Sequence, residues 1–165
     1  QKNFGPAGLT LVIINKKLIT DRPKASSIMN YKKICENDSM LNTPPTFSVY
    51  VASLVLGWIK SLGGVSTMEK NAQEKSALLY DYIDSTNFYK NSIESNSRSR
   101  MNVPFNILND SLNNTFLSEA SDNGLFELKG HRSVGGFRAS IYNAMPVEGV
   151  KVLISFMKDF ERKYG

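Results

Sequence analysis

Gly130-His131-Arg132-Ser133-Val134-Gly135-Gly136-Phe137-Arg138-Ala139-Ser140-Ile141-Tyr142-Asn143 places two arginines and the chain's only histidine around a Gly-Gly pair. Its second half, Gly136–Tyr142, alternates in the manner of a strand, and Leu125–Lys129 before it predicts a neighbouring strand. Working outward, Pro146 opens a helix that carries Val147, Val150, Ile154 and Met157 on one stripe. Upstream, Gly124 ends a helix over about Leu112–Asn123, and Arg100–Leu108 predicts a further strand whose Pro104 belongs at an edge or a bulge. Ser66-Thr67-Met68-Glu69 has the spacing of a capping box, so a helix should run from there to about Asp84. Met68, Ala72, Leu79 and Ile83 lie on its apolar side. After Gly64 the order is therefore helix, strand, helix, strand, strand, helix, an α+β layer domain able to form its own core.

The chemistry of the quoted stretch is that of anion binding. Arg offers a rigid fork that matches carboxylate or phosphate, and the Gly-Gly pair permits close approach or dihedrals closed to other residues. The competing reading is a solvated basic surface, with His131 an ordinary histidine and the arginines in salt bridges. On adjacent strands, His131, Arg132 and Arg138 would repel one another, so an anion between them is the cheaper arrangement. Arg98 and Arg100, ahead of Pro104, read as structural or interface charges, and Tyr142 and Asn143 as packing and turn residues.

The first 60 residues have another character. Leu9-Thr10-Leu11-Val12-Ile13-Ile14-Asn15 is a continuous apolar run suited to a strand buried on both faces, yet one such strand cannot make a sheet. Residues 20–42 are polar and irregular, with a short helix near Ile28–Tyr31. Pro44-Pro45 marks a rigid loop before a helix over Thr46–Leu62 that is apolar nearly all round and expects to be enclosed; Gly63-Gly64 stops it. Asn42 and Thr43, taken alone, are caps for that helix. The apolar stretch Phe47–Ile59 is too short for a membrane span. No signal peptide is visible, and the opening in the middle of a Gly-Pro-Ala-Gly loop reads as a cut end.

Composition sets outer bounds. The chain has 165 residues, 41% of them hydrophobic and 21% charged, which suits one domain or one and a fraction. The net charge of +5 is spread along the chain, which makes nucleic acid a minor reading. Cys35 is the only cysteine, so an internal disulfide and a Cys- or His-rich metal site are both excluded, and a reducing compartment is favoured.

Gln1-Lys2-Asn3-Phe4-Gly5-Pro6-Ala7-Gly8, Leu41-Asn42-Thr43-Pro44-Pro45-Thr46-Phe47 and the Gly-His-Arg-x-Val-Gly-Gly-x-Arg-Ala-Ser string, in that order, resemble the phosphoserine aminotransferases, class-V pyridoxal-phosphate enzymes. The resemblance covers essentially the whole chain but only the C-terminal part of the family. It implies an α/β parent of fold type I. Residues 1–60 would be a remnant of the large cofactor-binding domain, and residues 61–165 the small α+β domain.

The family's Schiff-base lysine falls on Lys2, with Gln1 touching the cofactor. Asn42 and Thr43 would reach the cofactor phosphate of the opposite subunit in a homodimer with shared sites. His131 and Arg132 fall on the substrate phosphate or the distal carboxylate of glutamate, and Arg138 on the α-carboxylate. Phe137 stands where an aliphatic residue or Met is usual. The implied reaction, in the cytoplasm, moves an amino group between glutamate and 3-phosphohydroxypyruvate in serine synthesis, and in many bacteria also serves vitamin B6 synthesis. No metal, nucleic acid or membrane enters it. The aromatic residue stacked on the cofactor ring and the aspartate at its nitrogen have no counterpart here, so the 165 residues alone are expected to be inactive. The rival readings are another class-V aminotransferase, which would lack the His-Arg pair, and a non-catalytic anion- or nucleic-acid-binding module.

Overall fold

The computed structural model describes residues 2–165, so the expected role of Gln1 lies outside the described residues. The elements in chain order are α1 (Tyr31–Glu36), α2 (Thr46–Ser61), α3 (Gly64–Ser85), β1 (Tyr89–Lys90), β2 (Asn102–Ile107), α4 (Asn113–Asp122), β3 (Phe137–Ser140) and α5 (Val147–Tyr164). They divide into two compact units, one up to Trp58 and the other Ile59–Gly165.

The second unit is built on an antiparallel sheet of order β1-β2-β3. Val103, Phe105 and Ile107 of β2 alternate inward, as do Phe137 and Ala139 of β3, and helices α3, α4 and α5 cover that face with Leu79, Ile83, Phe116, Val150 and Met157. Phe116 is fully buried among the rings of Phe137, Phe160 and Phe156, at centroid distances of 4.5, 5.0 and 5.1 Å. These separations and tilts are the ones aromatic quadrupoles favour. Met68, Ala72, Leu79 and Ile83 are all buried on α3, as the periodicity predicts.

Several boundaries differ from expectation, each for a local reason. Helix α3 begins at Gly64 rather than at a Ser66 cap, directly after Gly63, which takes φ +101°, a conformation glycine adopts at little cost. Leu125–Lys129 forms only an isolated bridge, Lys129 with Phe137, because Glu127 sits at φ +59° and breaks the extended run. Pro104 lies on the central strand of the sheet, yet β1 pairs only with Asn106 and Ile107 and has ended before reaching it. The Pro104 carbonyl instead accepts from the Asn91 side-chain amide, so the proline occupies a local edge.

The first unit departs most. Leu9–Asn15 is extended but forms no strand and is not buried on both faces: Leu11 is 66% and Ile13 92% exposed. No strand among the described residues of this unit is available to pair with it. The expected enclosure of α2 is likewise absent, since only Ser48 and Ala52 are buried while Phe47, Tyr50 and Leu54 are exposed. The buried side of α2 receives the opening loop, where Ser48 Oγ donates to the Ala7 carbonyl at 3.0 Å. The short helix predicted near Ile28–Tyr31 is present as a 3₁₀ turn over Ser27–Met29 followed by α1 from Tyr31, which is capped by buried Asn30, whose Oδ1 accepts from the amides of Lys32 and Lys33. No single helix among the described residues is long and apolar enough to cross a membrane.

Candidate functional site

Strand β3 fixes the position of Arg138. With Phe137 and Ala139 turned into the core, alternation puts Arg138 on the opposite face, in register with Pro104. Its backbone N–H donates to the Leu128 carbonyl at 2.7 Å. Its Nε is buried and has no hydrogen-bond partner among the described residues. An unpaired buried donor of a charged group is costly, so this atom is poised for an acceptor.

Residues 131–136 are a turn and not strand, which corrects the expectation that His131 and Arg132 stand on a strand beside Arg138. The amides of Val134 and Gly135 both donate to the His131 carbonyl, at 2.9 and 2.8 Å, and Gly130 N–H closes the loop onto the Gly136 carbonyl at 2.9 Å. Gly135 and Gly136 adopt φ +78° and +60°. A Cβ on Gly136 would collide with Asn106 Oδ1, and one on Gly130 with the Gly135 carbonyl. Of the two uses anticipated for the Gly-Gly pair, dihedrals closed to other residues are present at both glycines, and the close approach at Gly136 is to the protein's own Asn106 side chain.

The turn leaves His131 and Arg132 exposed. His131 Nδ1 lies 2.7 Å from Ser133 Oγ and accepts the Ser133 backbone N–H at 3.3 Å. Ser133 was not singled out from the sequence; the signal for it is a hydroxyl residue two positions after a histidine in a glycine-closed turn. Arg98 and Arg100 are engaged elsewhere, as expected for structural charges. Arg98 grips Asp84 with both guanidinium nitrogens and lies 4.7 Å over the Tyr80 ring, and Arg100 pairs with Glu69 at 2.9 Å. Beyond β3, buried Lys75 donates from Nζ to the carbonyls of Tyr142 and Met145, both at 2.7 Å, and burial holds its pKa below the ordinary lysine value. Tyr142 Oη donates to Asn102 Oδ1, the packing role expected of it.

The other candidates belong to the first unit. Lys2 is exposed, and its backbone takes φ +75°, unusual for a residue with a side chain, with its amide donating to the Gly5 carbonyl at 2.9 Å. Asn42 and Thr43 line a cavity of about 860 Å³ together with Thr10, Pro44, Thr46 and Tyr50. They do not cap α2: the Val49 amide donates to the Pro45 carbonyl, which makes Pro45 the cap residue and leaves Asn42 and Thr43 upstream of it. Lys2 lies outside the lining of that cavity.

The model of the family described as "Aminotransferase class-V" matches residues 1–153. The phosphoserine aminotransferase of Herminiimonas arsenicoxydans is 55% identical over the whole of this chain, which spans 46% of that protein. Among solved structures, a phosphoserine aminotransferase studied for radiation damage of its Schiff base superposes with a TM-score of 0.93 at 45% identity. That match covers 98% of this chain and 45% of the other. The PLP-bound phosphoserine aminotransferase of Trichomonas vaginalis gives a TM-score of 0.77 at 39% identity, over 83% of this chain and 39% of its own. The chain thus spans under half the length of the relatives it matches.

Proposed function

The chain belongs to the class-V aminotransferase family, and on that premise we propose that it works as part of a pyridoxal-phosphate-dependent phosphoserine aminotransferase. The observation that carries the substrate half of this reading is Arg138, whose buried, unpaired Nε sits two residues from the glycine turn that presents His131 and Arg132. In this reading Arg138 binds the α-carboxylate common to glutamate and phosphoserine. Arg132 and His131 bind the distal phosphate, or the distal carboxylate of glutamate.

The residues of the first unit fit the cofactor by their donor chemistry. Lys2 supplies an exposed primary amine on a constrained backbone, and Asn42 and Thr43 supply an amide and a hydroxyl at the wall of an open cavity. When bound, pyridoxal phosphate supplies an electron sink for the charge left at the substrate α-carbon. Lys2 would hold the cofactor covalently and, once displaced by substrate, move the proton at that α-carbon. Asn42 and Thr43 would hold the phosphate of the partner subunit's cofactor, making the active centre a property of a homodimer. Gln1 would touch the cofactor beside Lys2. Residues 1–60 correspond in this scheme to part of the large domain and residues 61–165 to the small one, the setting is the cytoplasm, and serine synthesis is the process served. The chain alone is inactive, because the groups that hold the cofactor ring are not in it.

The test is Lys2→Ala in the full-length enzyme. Turnover of glutamate with 3-phosphohydroxypyruvate should be all but lost, because no other amine is placed to carry the cofactor and return the proton. Normal rates in that variant would end the case for Lys2.

A further inference from the structure

Ser133 is assigned no role by the reading above, yet it makes both contacts to the Nδ1 atom of His131. A backbone N–H can only donate, so the Ser133 amide at 3.3 Å requires Nδ1 to carry a lone pair and not a proton. The Ser133 hydroxyl, at 2.7 Å, then donates to the same nitrogen. In a neutral imidazole the one remaining N–H is on Nε2, the atom on the opposite side of the ring.

From this geometry we infer that Ser133 is a positioning residue: it locks His131 in the Nε2–H tautomer and so aims a hydrogen-bond donor at an oxyanion. The same turn is held by Gly135 and Gly136 at positive φ, with Ser133 beside the imidazole Nδ1. A carboxylate or a fully ionised phosphate ester offers only acceptors. A histidine free to exchange tautomers would present a lone pair to it part of the time, and that form repels phosphate oxygens. Ser133 removes the wrong form before the ligand arrives, a preorganisation that lowers the cost of binding. The inference rests on the proposed phosphate role of His131 for its purpose, but not for its geometry.

His131 is the only histidine in the chain, so its ring nitrogens can be read without assignment in the 165-residue protein labelled with ¹⁵N-histidine. Above the pH at which the ring protonates, the long-range ¹H–¹⁵N pattern should be that of Nε2–H. In Ser133→Ala the ratio of Nε2–H to Nδ1–H should fall roughly two- to tenfold, the worth of one neutral hydrogen bond, while Ser133→Thr should keep it. A dominant Nδ1–H form in the parent, or a ratio unmoved by Ser133→Ala, would overturn the inference. Titration with inorganic phosphate is the second arm. Phosphate should shift the Nε2 resonance of the parent, and should do so at higher concentration in Ser133→Ala. If phosphate shifts nothing while the tautomer ratio responds as expected, the lock stands and the phosphate role of His131 is what fails.

Discussion

Replacing Arg138 with Met separates a binding arginine from a structural one, because the two readings predict opposite signs. Nε is buried without an acceptor among the described residues. Such an orphan costs about 1–3 kcal/mol. Met keeps an unbranched apolar stem but has no donor. Arg138 as a whole is only half-buried, so the lower end of that range applies, and Arg138→Met should stabilise the free chain by about 1 kcal/mol. For a folding unit of about a hundred residues that is a rise of roughly 4 °C or more in Tm. Urea or thermal unfolding of parent and variant side by side gives the number. Added ligand should then reverse the ranking. A carboxylate or phosphate that saturates Arg138 a hundredfold above its Kd adds about 2.7 kcal/mol to the parent, and little to the variant. A variant less stable than the parent without ligand by 1 kcal/mol or more would mean that Arg138 already has its partner in the free fold. The anion reading of that residue would then be refuted.

Arg132→Ala in the full-length enzyme should cost about 1.5–3 kcal/mol of transition-state binding with phosphoserine, and much less with an unphosphorylated analogue; an equal loss for both would show that Arg132 does not read the phosphate. Subunits inactive through Lys2→Ala, mixed with subunits crippled at Asn42 and Thr43, should regain activity in heterodimers, since half of the shared sites would then carry neither defect; no recovery in confirmed heterodimers would place both groups in one chain's own site. Lys75→Met should destabilise the second unit by about 1.5–3 kcal/mol, because it removes the charged donor from the Tyr142 and Met145 carbonyls. Burial lowers the pKa of Lys75, so the unfolded chain binds that proton more readily and the parent should gain stability as pH rises towards the ordinary lysine value of 10.5. Denaturation midpoints across that alkaline window should show this slope in the parent and lose it in Lys75→Met; parallel pH profiles would refute the assignment.

The parts of the fold legible in the sequence are those that finish their own business locally or within the second unit. The faces of α3 and α5 and the stops at Gly124 and Gly63-Gly64 follow from 3.6-residue periodicity and from glycine's freedom at positive φ. Where the sequence misleads, a backbone detail that composition does not encode decides. Glu127 at positive φ cuts short a segment whose composition suits a strand, and the early end of β1 turns a central proline into a tolerated one. The basic residues of the site were visible by type and spacing. Their presentation on a turn, and the hold of Ser133 on the histidine ring, depend on hydrogen bonds that no periodicity encodes.

The first unit shows the limit of pattern reading most sharply. The run Leu9–Asn15 and the greasy circumference of α2 carry the composition of a sheet interior, yet Ile13 and Phe47 stand 92% and 73% exposed. Composition records the environment a segment is selected for; the structure records the neighbours it has. Burying a side chain of this size stabilises by about 1.5–3 kcal/mol, so a row of such residues left in water is a large unmet driving force, directed at whatever covers it. The second unit has a closed core, because its sheet and three helices bury Phe105, Phe116, Phe137 and Phe160 among themselves, although Phe126 and Leu108 stay exposed at its surface. The residues proposed to bind the anion are mounted on the unit with the closed core, and the lysine proposed to carry the cofactor on the one whose apolar surface is still open. The proposed substrate recognition can therefore be tested in this chain by binding and stability, whereas turnover is a question for the full-length enzyme.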